Sequence, residues 1–525
     1  MKKSFNNPVL PGFYPDPSIC RAGNDYYLVT STFCYFPGIP IFHSTDLVHW
    51  NQIGNVLDRE SQLPLADTSL AGDGIYAPTI RYHEGTFYVI TTNVRGGIGN
   101  FIVTATDPKG PWSDPIPLHS EGIDPSLFFD DDGRCYYCGT KGRREGSRYF
   151  GDNEIYIQEL DLKTMTLVGE SWPAWHGALR NVEWPEGPHI YKKDGWYYLL
   201  ISEAGTAHMH CVTVARSKSL SEPFTGYAGN PILTHRHLGL NYPIVNVGHP
   251  DIVETQNGEW WMIALASRPY GGGYHRNLGR ETFLVPMTWE NGWPLINPGK
   301  GIIEDTCTTP KLPECEKIPV PGYDDFDYAA LAPHYMYVRN PDMSKYSLSE
   351  RKGFMRIYCS PEDICSNASP SLICRRQTDM SYELETRVEY EPAEGEQAGL
   401  VLLQSDSNYY TFAVSKRNGK DVLVITKSYI KNDAVCKEEL LVHAVTYNLK
   451  DGIVLHIKQN VQSLSFSYKT GDGEYIELAD GADARILCTD AAGGFVGTCL
   501  GIYCSSMGKE SMNYADFDYL SYKGL

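Results

Sequence analysis

The sequence lacks an excess of positive charge. Its 45 lysines and arginines face 64 aspartates and glutamates, which gives a formal net charge of −19 at pH 7. This balance argues against a nucleic-acid ligand, because such ligands favour a basic face. It argues equally against an anionic membrane surface or a polyanionic substrate. A neutral substrate fits the composition best, while a homo-oligomer remains possible.

Long apolar runs are also missing, and the cysteines form no cluster. No stretch of about 18 apolar residues is present to span a bilayer. Residues 1–8 (MKKSFNNP) have no apolar segment typical of a secretion signal. The fourteen cysteines are scattered through 525 residues and do not form a disulfide framework. We therefore expect a cytoplasmic protein with reduced thiols and no membrane partner.

Helical periodicity is scarce, but one short motif is written five times. Each copy has a proline, then a polar residue, then an aliphatic residue, and a strand with paired aromatics follows. The copies are residues 14–19 (YPDPSI), 76–80 (YAPTI), 123–127 (IDPSL), 186–190 (EGPHI) and 248–252 (GHPDI).

The spacing of these units predicts a five-bladed β-propeller. The aromatic markers Tyr27, Tyr88, Tyr137, Tyr198 and Trp261 are separated by 61, 49, 61 and 63 residues. Units of this length with several strands each are typical of propeller blades. A closed ring also removes the exposed edges of an open array of sheets. We assign residues 1–305 to this propeller as the catalytic domain.

The composition changes after residue 305, and a second all-β domain follows. Residues 306–322 are rich in proline and predict an extended linker. From residue 323 to 525 short strands recur, with the clearest alternation in residues 381–390 (SYELETRVEY). About 200 residues of this kind predict an antiparallel β-sandwich of the concanavalin A-like type.

The repeats carry three carboxylates toward the propeller axis. The first strand of each blade lines the axis, so Asp16, Asp124 and Glu186 should converge there with His249. Glycoside hydrolysis uses such a set, because it needs one protonated and one ionised carboxyl group. A single Asp-Pro pair can merely start a turn, but three acids near one register of the repeat favour a site.

Residues 14–18, 122–127 and 184–189 resemble the three signature segments of glycoside hydrolase family 43. Residues 31–33, 279–282 and 494–497 also resemble segments of its two-domain β-xylosidases and α-L-arabinofuranosidases. The resemblance implies that Asp16 is the general base and Glu186 the general acid, with Asp124 raising the pKa of the acid and orienting it. It also implies inversion of configuration, with carboxylates about 6.5–9.5 Å apart. No cofactor is required.

The same resemblance suggests substrate-binding residues, each with a structural alternative. Arg280 would bind sugar hydroxyls beside the base, or form an ion pair with Glu281. His249 would lie at the pocket floor near a possible Ca²⁺, through water since calcium prefers oxygen ligands, or be an ordinary core histidine. Phe33 and Tyr76 would be aromatic walls for a sugar face, or core residues.

Phe495 is the most distant of these predictions. A loop of the sandwich would reach over the propeller and close one side of the pocket with this ring, so that single sugars are released from chain ends. The alternative is an ordinary residue of the sandwich core.

The resemblance implies an exo-acting β-1,4-xylosidase that acts on xylo-oligosaccharides or arabinoxylan fragments. An α-L-arabinofuranosidase is the alternative, because Tyr76 and Cys34 depart from the residues that relatives often have at these positions. A catalytically inactive, sugar-binding propeller is the third reading.

Two short motifs predict no metal site. The cysteines of residues 135–138 (CYYC) would point to opposite faces of a strand. Residues 130–133 (DDDG) lack the spacing of a calcium loop and predict a hairpin turn.

Overall fold

The protein is described by a computed structural model that covers residues 3–525. It is almost entirely β-structure, as predicted, and it contains a five-bladed propeller followed by a β-sandwich. Within the described residues no helix is both long enough and apolar enough to cross a membrane. The short helices are Arg236–Leu238, Met343–Lys345, Leu449–Asp451 and Ala484–Leu487, all 3₁₀, and the α-helix Thr489–Ala492.

Each blade is a four-stranded antiparallel sheet formed by one contiguous stretch of chain. The strands of blades one to three are Ser18–Ala22, Asp25–Val29, Gly38–Ser44 and Asn51–Leu57; Gly74–His83, Thr86–Val94, Gly99–Ala105 and Ile116–Pro117; and Ile123–Phe129, Cys135–Gly142, Asn153–Asp161 and Thr166–Trp175. Those of blades four and five are Glu186–Lys193, Trp196–Glu203, Cys211–Ser217 and Thr225–Gly226; and Val245–Glu254, Trp260–Ser267, Glu281–Glu290 and Trp293–Ile296.

The ring is closed through the first strands of the blades. Each first strand contacts those of the two neighbouring blades, and the first strand of blade five contacts that of blade one. The segment before blade one reinforces this closure, because Asn7 hydrogen-bonds the backbone of Leu284 in blade five in both directions. A short strand Ser4–Asn6 also pairs with Thr306–Thr308, inside the predicted linker. The five repeats are thereby held at one axis.

The C-terminal domain is built from two sheets. The first contains, in spatial order, Tyr346–Ser347, Met355–Tyr358, Tyr514–Gly524, Tyr382–Glu389, Ile453–Asn460, Ser463–Thr470 and Ile476–Asp483, with Tyr323–Asp324 added to Tyr514–Gly524. The second contains Ala434–Ala444, Lys420–Lys431, Tyr409–Arg417, Gln397–Leu403, Cys499–Ser505, Leu372–Arg376, Met336–Val338 and Tyr35–Phe36.

Alternating burial explains why these strands pack face to face. In Tyr382–Glu389 every second residue is buried, as the sequence pattern predicts. The buried side chains Leu384, Leu400, Phe412 and Leu455 belong to one apolar cluster between the two sheets. Apolar area removed from water in this way is the main stabilising contribution to such a domain.

The propeller and the sandwich share backbone hydrogen bonds as well as side-chain contacts. Tyr35–Phe36, from blade one, forms the edge strand of the second sheet by pairing with Tyr337 and Val338. Next to this strand, Arg339 is 1% exposed and donates to the carbonyl of Thr68 at 2.7 Å and to Asp406 at 2.9 Å. These contacts fix the sandwich against the rim of the propeller.

Candidate active site

The residue before the proline has a left-handed backbone in all five repeats. Its φ is 53° at Asp16, 22° at Ala77, 52° at Asp124, 59° at Gly187 and 46° at His249. Residues with a side chain rarely adopt this conformation, and it is a source of strain that clusters at functional sites. In blades two to five the pairing with the second strand also shifts register here, as in a β-bulge. A bulge re-aims side chains, and here it turns them toward the axis.

The pocket side chains come from two positions of the repeat. Asp16, Asp124 and His249 stand at the left-handed position, whereas Glu186 and Tyr76 stand one residue earlier. Glu186 is therefore not in the same register as the two aspartates, because Gly187 occupies their position in blade four. The glycine leaves room for a neighbour, since a Cβ there would lie 3.0 Å from the ring of His249.

These side chains line one cavity of about 290 Å³. That volume is at the lower end of the range of about 300–1,000 Å³ for small-molecule pockets. It is a size suited to one sugar ring. All eight site residues predicted from the sequence line it: Asp16, Phe33, Tyr76, Asp124, Glu186, His249, Arg280 and Phe495.

Asp16 is the carboxylate that is held ionised. Its two oxygens accept hydrogen bonds from Ser31 Oγ and from Arg280, each at 2.7 Å, and the ring of His249 lies 3.9 Å away. Burial alone would raise the pKa of Asp16, but Arg280, His249 and Ser31 outweigh it and the pKa lies below its ordinary value. The alternative pairing of Arg280 with Glu281 is wrong, because Glu281 pairs with Arg268 at 2.7 Å.

Glu186 and Asp124 have the opposite tendency. Burial, and then the charges of Asp124 and Asp16, raise the pKa of Glu186 well above its usual range. Burial also raises the pKa of Asp124, although the backbone N–H of Gly187 donates to this carboxylate at 3.1 Å. The pocket therefore favours the ionised form of Asp16 and the protonated form of Glu186, the split that acid–base chemistry on a single bond requires.

Aromatic rings form one wall of the cavity. Phe33 lies in an edge contact with Tyr76, centroids 5.1 Å apart, and stacks on Phe495 at 5.9 Å with 17° between the planes. The hydroxyl of Tyr76 donates to the carbonyl of Gly72. Such rings offer an apolar face against which a sugar ring can pack.

Phe495 reaches this wall from the sandwich, so the alternative of a sandwich-core position is wrong. The backbone N–H of Phe495 donates to the carbonyl of Ala71 at 2.8 Å, and its own carbonyl lies 3.4 Å from the Arg280 guanidinium. Gly494 is required at this contact, since its φ is 75° and a Cβ would collide with the carbonyl of Ala71. An ion pair of Arg276 with Asp490, at 2.7 Å, holds the same loop.

Six further residues line the cavity, and none of them was identified from the sequence as a site residue. They are Ala77, Ile123, Trp184, Gly205, Thr206 and His210. Trp184 belongs to the signature segment 184–189, so the family resemblance carried a signal for it. Gly205, Thr206 and His210 come from the loop after the second strand of blade four, outside the repeated motif, so the repeat carried no signal for them.

The residues beside His249 do not by themselves form a metal site. Residues 3–525 contain no group of three or more histidine, cysteine, aspartate or glutamate side chains arranged to hold a metal ion. Calcium favours six to eight oxygen ligands, and a single imidazole with one carboxylate does not supply them. A calcium ion near His249 remains a prediction.

The two short motifs at residues 135–138 and 130–133 have the structures predicted for them. Cys135 and Cys138 belong to different apolar clusters on opposite faces of their strand. Residues 130–133 form the turn between the first two strands of blade three, closed by backbone hydrogen bonds between Asp130 and Arg134 and between Gly133 and Asp130. All fourteen cysteines are unpaired in the described chain.

Comparison with known proteins finds the same two-domain architecture among glycoside hydrolases. The model of the family described as glycosyl hydrolases family 43 matches residues 5–294, and that of the beta xylosidase C-terminal concanavalin A-like domain matches residues 323–523. A xylosidase/arabinosidase of Butyrivibrio fibrisolvens is 48% identical over 526 residues, which cover 98% of each chain.

Two further relatives show the range of names among similar proteins. A non-reducing end alpha-L-arabinofuranosidase of Bacteroides ovatus is 37% identical, over 100% of this chain and 96% of its own. The crystal structure of a xylan beta-1,4-xylosidase from Bacillus halodurans is 36% identical and superimposes with a TM-score of 0.92, covering 99% of this chain and 100% of that one.

Proposed function

This chain belongs to glycosyl hydrolases family 43, and we propose that it is an exo-acting, inverting β-1,4-xylosidase that releases xylose from the non-reducing ends of xylo-oligosaccharides. The observation that carries this proposal is the split between the carboxyl groups of the pocket. Asp16 is held ionised by Arg280, while Glu186 retains its proton because of burial and the neighbouring acids.

Asp16 acts as the general base. Its carboxylate takes a proton from a water molecule as the water oxygen attacks the anomeric carbon of the bound sugar. The hydrogen bonds from Ser31 and Arg280 hold the carboxylate in one orientation and keep it ionised. A base that is already ionised and fixed costs little reorganisation when the reaction occurs.

Glu186 acts as the general acid. It gives its proton to the glycosidic oxygen as the bond to the leaving sugar breaks, so the displacement occurs in one step and inverts the anomeric carbon. Asp124 contributes by charge, because its carboxylate raises the pKa of Glu186. The same carboxylate accepts from the backbone of Gly187, the residue after the acid, and so helps to position the acid.

The rest of the pocket binds and encloses the terminal sugar. Arg280 and His249 face the sugar hydroxyls, and Phe33 and Tyr76 form the apolar wall. Phe495 closes one side, and this supports release of single sugars over cleavage within a chain. A xylan-type or arabinoxylan-type carbohydrate is neutral, in agreement with the net charge of −19.

The second candidate activity is removal of α-L-arabinofuranosyl groups. Two observations favour it: the tyrosine at position 76 in the aromatic wall, and a 37% identical relative with that activity in its name. The inactive, sugar-binding alternative is not supported, because the base, the acid and the modulating carboxylate are all present in one pocket.

Hydrolysis of p-nitrophenyl β-D-xyloside, p-nitrophenyl α-L-arabinofuranoside and xylobiose tests the proposal. We expect Glu186→Gln to lower kcat by about 10²–10⁴-fold on xylobiose, as for loss of a general acid. The loss should be smaller on the nitrophenyl substrates, because their leaving groups need little protonation.

Glu183→Gln is the matched control, since Glu183 is an exposed glutamate three residues away and does not line the cavity. It should leave all three rates unchanged. Equal losses on xylobiose and on the nitrophenyl xyloside would contradict the role of Glu186. A wild-type enzyme that is faster on the arabinofuranoside than on both xylosides would reverse the order of the two activities.

A further inference from the structure

His210 is a pocket residue with one hydrogen bond made and one missing. Its side chain lines the cavity and is 2% exposed. The ring nitrogen Nδ1 lies 3.0 Å from the carbonyl oxygen of Asn246. Because a carbonyl only accepts, Nδ1 carries the proton and donates it. The other ring nitrogen, Nε2, is buried and has no partner within residues 3–525.

The imidazole is neutral, so Nε2 is an acceptor. Burial lowers the pKa of His210 to about 3, and the nearby charges of His249 and Arg280 act in the same direction. In a neutral ring with its proton on Nδ1, Nε2 presents only a lone pair. Leaving such an acceptor buried and unpaired costs free energy, so a donor from a bound molecule would stabilise it.

His235 shows what a complete version of this arrangement looks like in the same chain. It too is buried, 1% exposed, and its Nδ1 donates to a carbonyl, that of Ile244, at 2.7 Å. In His235 the second nitrogen is satisfied, because the backbone N–H of Ile303 donates to Nε2 at 2.9 Å. His210 has the same first hydrogen bond and lacks only the donor.

The ring of His210 occupies a place from which side chains face the pocket. In blades two and four the residue two before the motif proline, Tyr76 or Glu186, lines the cavity. In blade five this residue is Gly248, and a Cβ there would collide with Cε1 and Nε2 of His210. The imidazole thus fills the position of the missing side chain and is part of the cavity lining.

We propose that His210 is a specificity-determining residue, whose Nε2 accepts a hydrogen bond from one hydroxyl of the sugar in the pocket. This inference rests on the proposed pentosidase function and adds a recognition element to it. A sugar without that hydroxyl, or with the hydroxyl etherified or esterified, leaves Nε2 unpaired in the complex. A site built to bond a hydroxyl rejects the analogue that lacks it.

Single-deoxy analogues of p-nitrophenyl β-D-xyloside, missing the 2-, 3- or 4-hydroxyl, test this directly against His210→Phe, which fills the same space without an acceptor. For one analogue we expect wild-type kcat/KM to fall by about 10–100-fold beyond its intrinsic reactivity, the cost of one unpaired buried group. His210→Phe should lose a similar factor on the parent xyloside and little more on that one analogue.

Gly248→Ala provides a second variant that moves the His210 ring without removing it, and it should weaken discrimination against the same analogue. His235→Phe is the matched control: it removes an imidazole whose two nitrogens are both satisfied, so it should lower the unfolding midpoint and leave the discrimination unchanged. If the fold-loss in kcat/KM from His210→Phe multiplies with the fold-loss from each of the three deoxy analogues, the proposed role of His210 is wrong. Failure of the wild-type enzyme on both parent pentosides would instead overturn the proposed function itself.

Discussion

The residues directly before and directly after the five repeat prolines form two neighbouring layers. Charged side chains are paired in one layer and only partly paired in the other. The layer before the proline contains Asp16, Asp124 and His249, and together with Glu186, which stands one residue earlier in blade four, it forms the pocket layer. The layer after the proline, here called the deeper layer, does not line the cavity. It consists of Ser18, Thr79, Ser126, His189 and Asp251, and every one of these side chains is buried.

In the deeper layer the charges are fully paired. Asp251 is 0% exposed and accepts from Ser18 Oγ at 2.7 Å, from the backbone N–H of Ile19 at 3.0 Å and from Arg81 at 2.8 Å. Burial alone would raise the pKa of Asp251, but Arg81 and the other donors lower it to about 2. The same guanidinium lies 2.8 Å from Nδ1 of His189. Four blades are tied together by this cluster.

In the pocket layer the carboxylates are only partly paired with cations. The guanidinium of Arg280 pairs with Asp16, while burial and the charges of neighbouring aspartates raise the pKa values of Asp124 and Glu186. The comparison shows how one repeated motif builds both structure and chemistry. Where each charge has a partner the cluster stabilises the ring, and where partners are missing the groups are left able to exchange protons and bind substrate.

Asp16→Asn should give the largest effect, and it should appear in the rate. Loss of the general base is expected to lower kcat by about 10²–10⁴-fold, measured with p-nitrophenyl β-D-xyloside. The free energy of unfolding should fall less than in Asp251→Asn, because Asp16 lines a cavity whereas Asp251 is 0% exposed and bonded on several sides. A variant with nearly full activity would remove Asp16 from the mechanism.

Asp251→Asn should reverse this pattern. It removes the charge of a carboxylate that is 0% exposed and leaves Arg81 without its ion pair. Breaking a buried pair in this way costs about 3–5 kcal/mol of the free energy of unfolding. Urea unfolding followed by fluorescence measures the loss, with Asp16→Asn measured in parallel. We expect the folded fraction to keep kcat within about threefold of wild type, since no group that touches the sugar is removed. A stable but inactive Asp251→Asn would show that the two layers are not separate.

The sequence predicted the ring and its three carboxylates because the repeat is local. The proline, the aromatic strand and the spacing lie within short windows, and ring closure then brings Asp16, Asp124 and Glu186 together. Phe495 was predicted only through the family resemblance. Its partners in the propeller, such as Ala71, follow from how two domains dock, which no local pattern encodes.

The unpredicted features depend on contacts between blades or on loops outside the repeat. Arg81 and Asp251 are 170 residues apart, and nothing in either local sequence specifies their ion pair. His210 lies in a loop of blade four, while the glycine that makes room for it, Gly248, is in blade five. The strand Tyr35–Phe36 was missed for the same reason, because its partner strand belongs to the sandwich.

Asp124→Asn should give the smallest of these effects in size, although it is the most specific to the pocket layer. The rate depends on protonated Glu186, so activity declines as pH rises through the pKa of this acid. Removing the charge of Asp124 removes one of the causes that raise that pKa, and the alkaline limb of the pH–kcat profile should move to lower pH. The acidic limb should stay in place, because Arg280, His249 and Ser31 are what hold the pKa of Asp16 down.

Asp130→Asn is the matched control for this profile, since Asp130 lies at the end of the same strand and bonds Lys192 and Tyr197 away from the cavity. Its alkaline limb should coincide with that of wild type. An unmoved limb in Asp124→Asn would mean that burial and the charge of Asp16 are enough to keep Glu186 protonated. The charge of Asp124 would then have no part in tuning the acid, whereas a shifted limb shows that Asp124 raises the pKa of Glu186 by its charge.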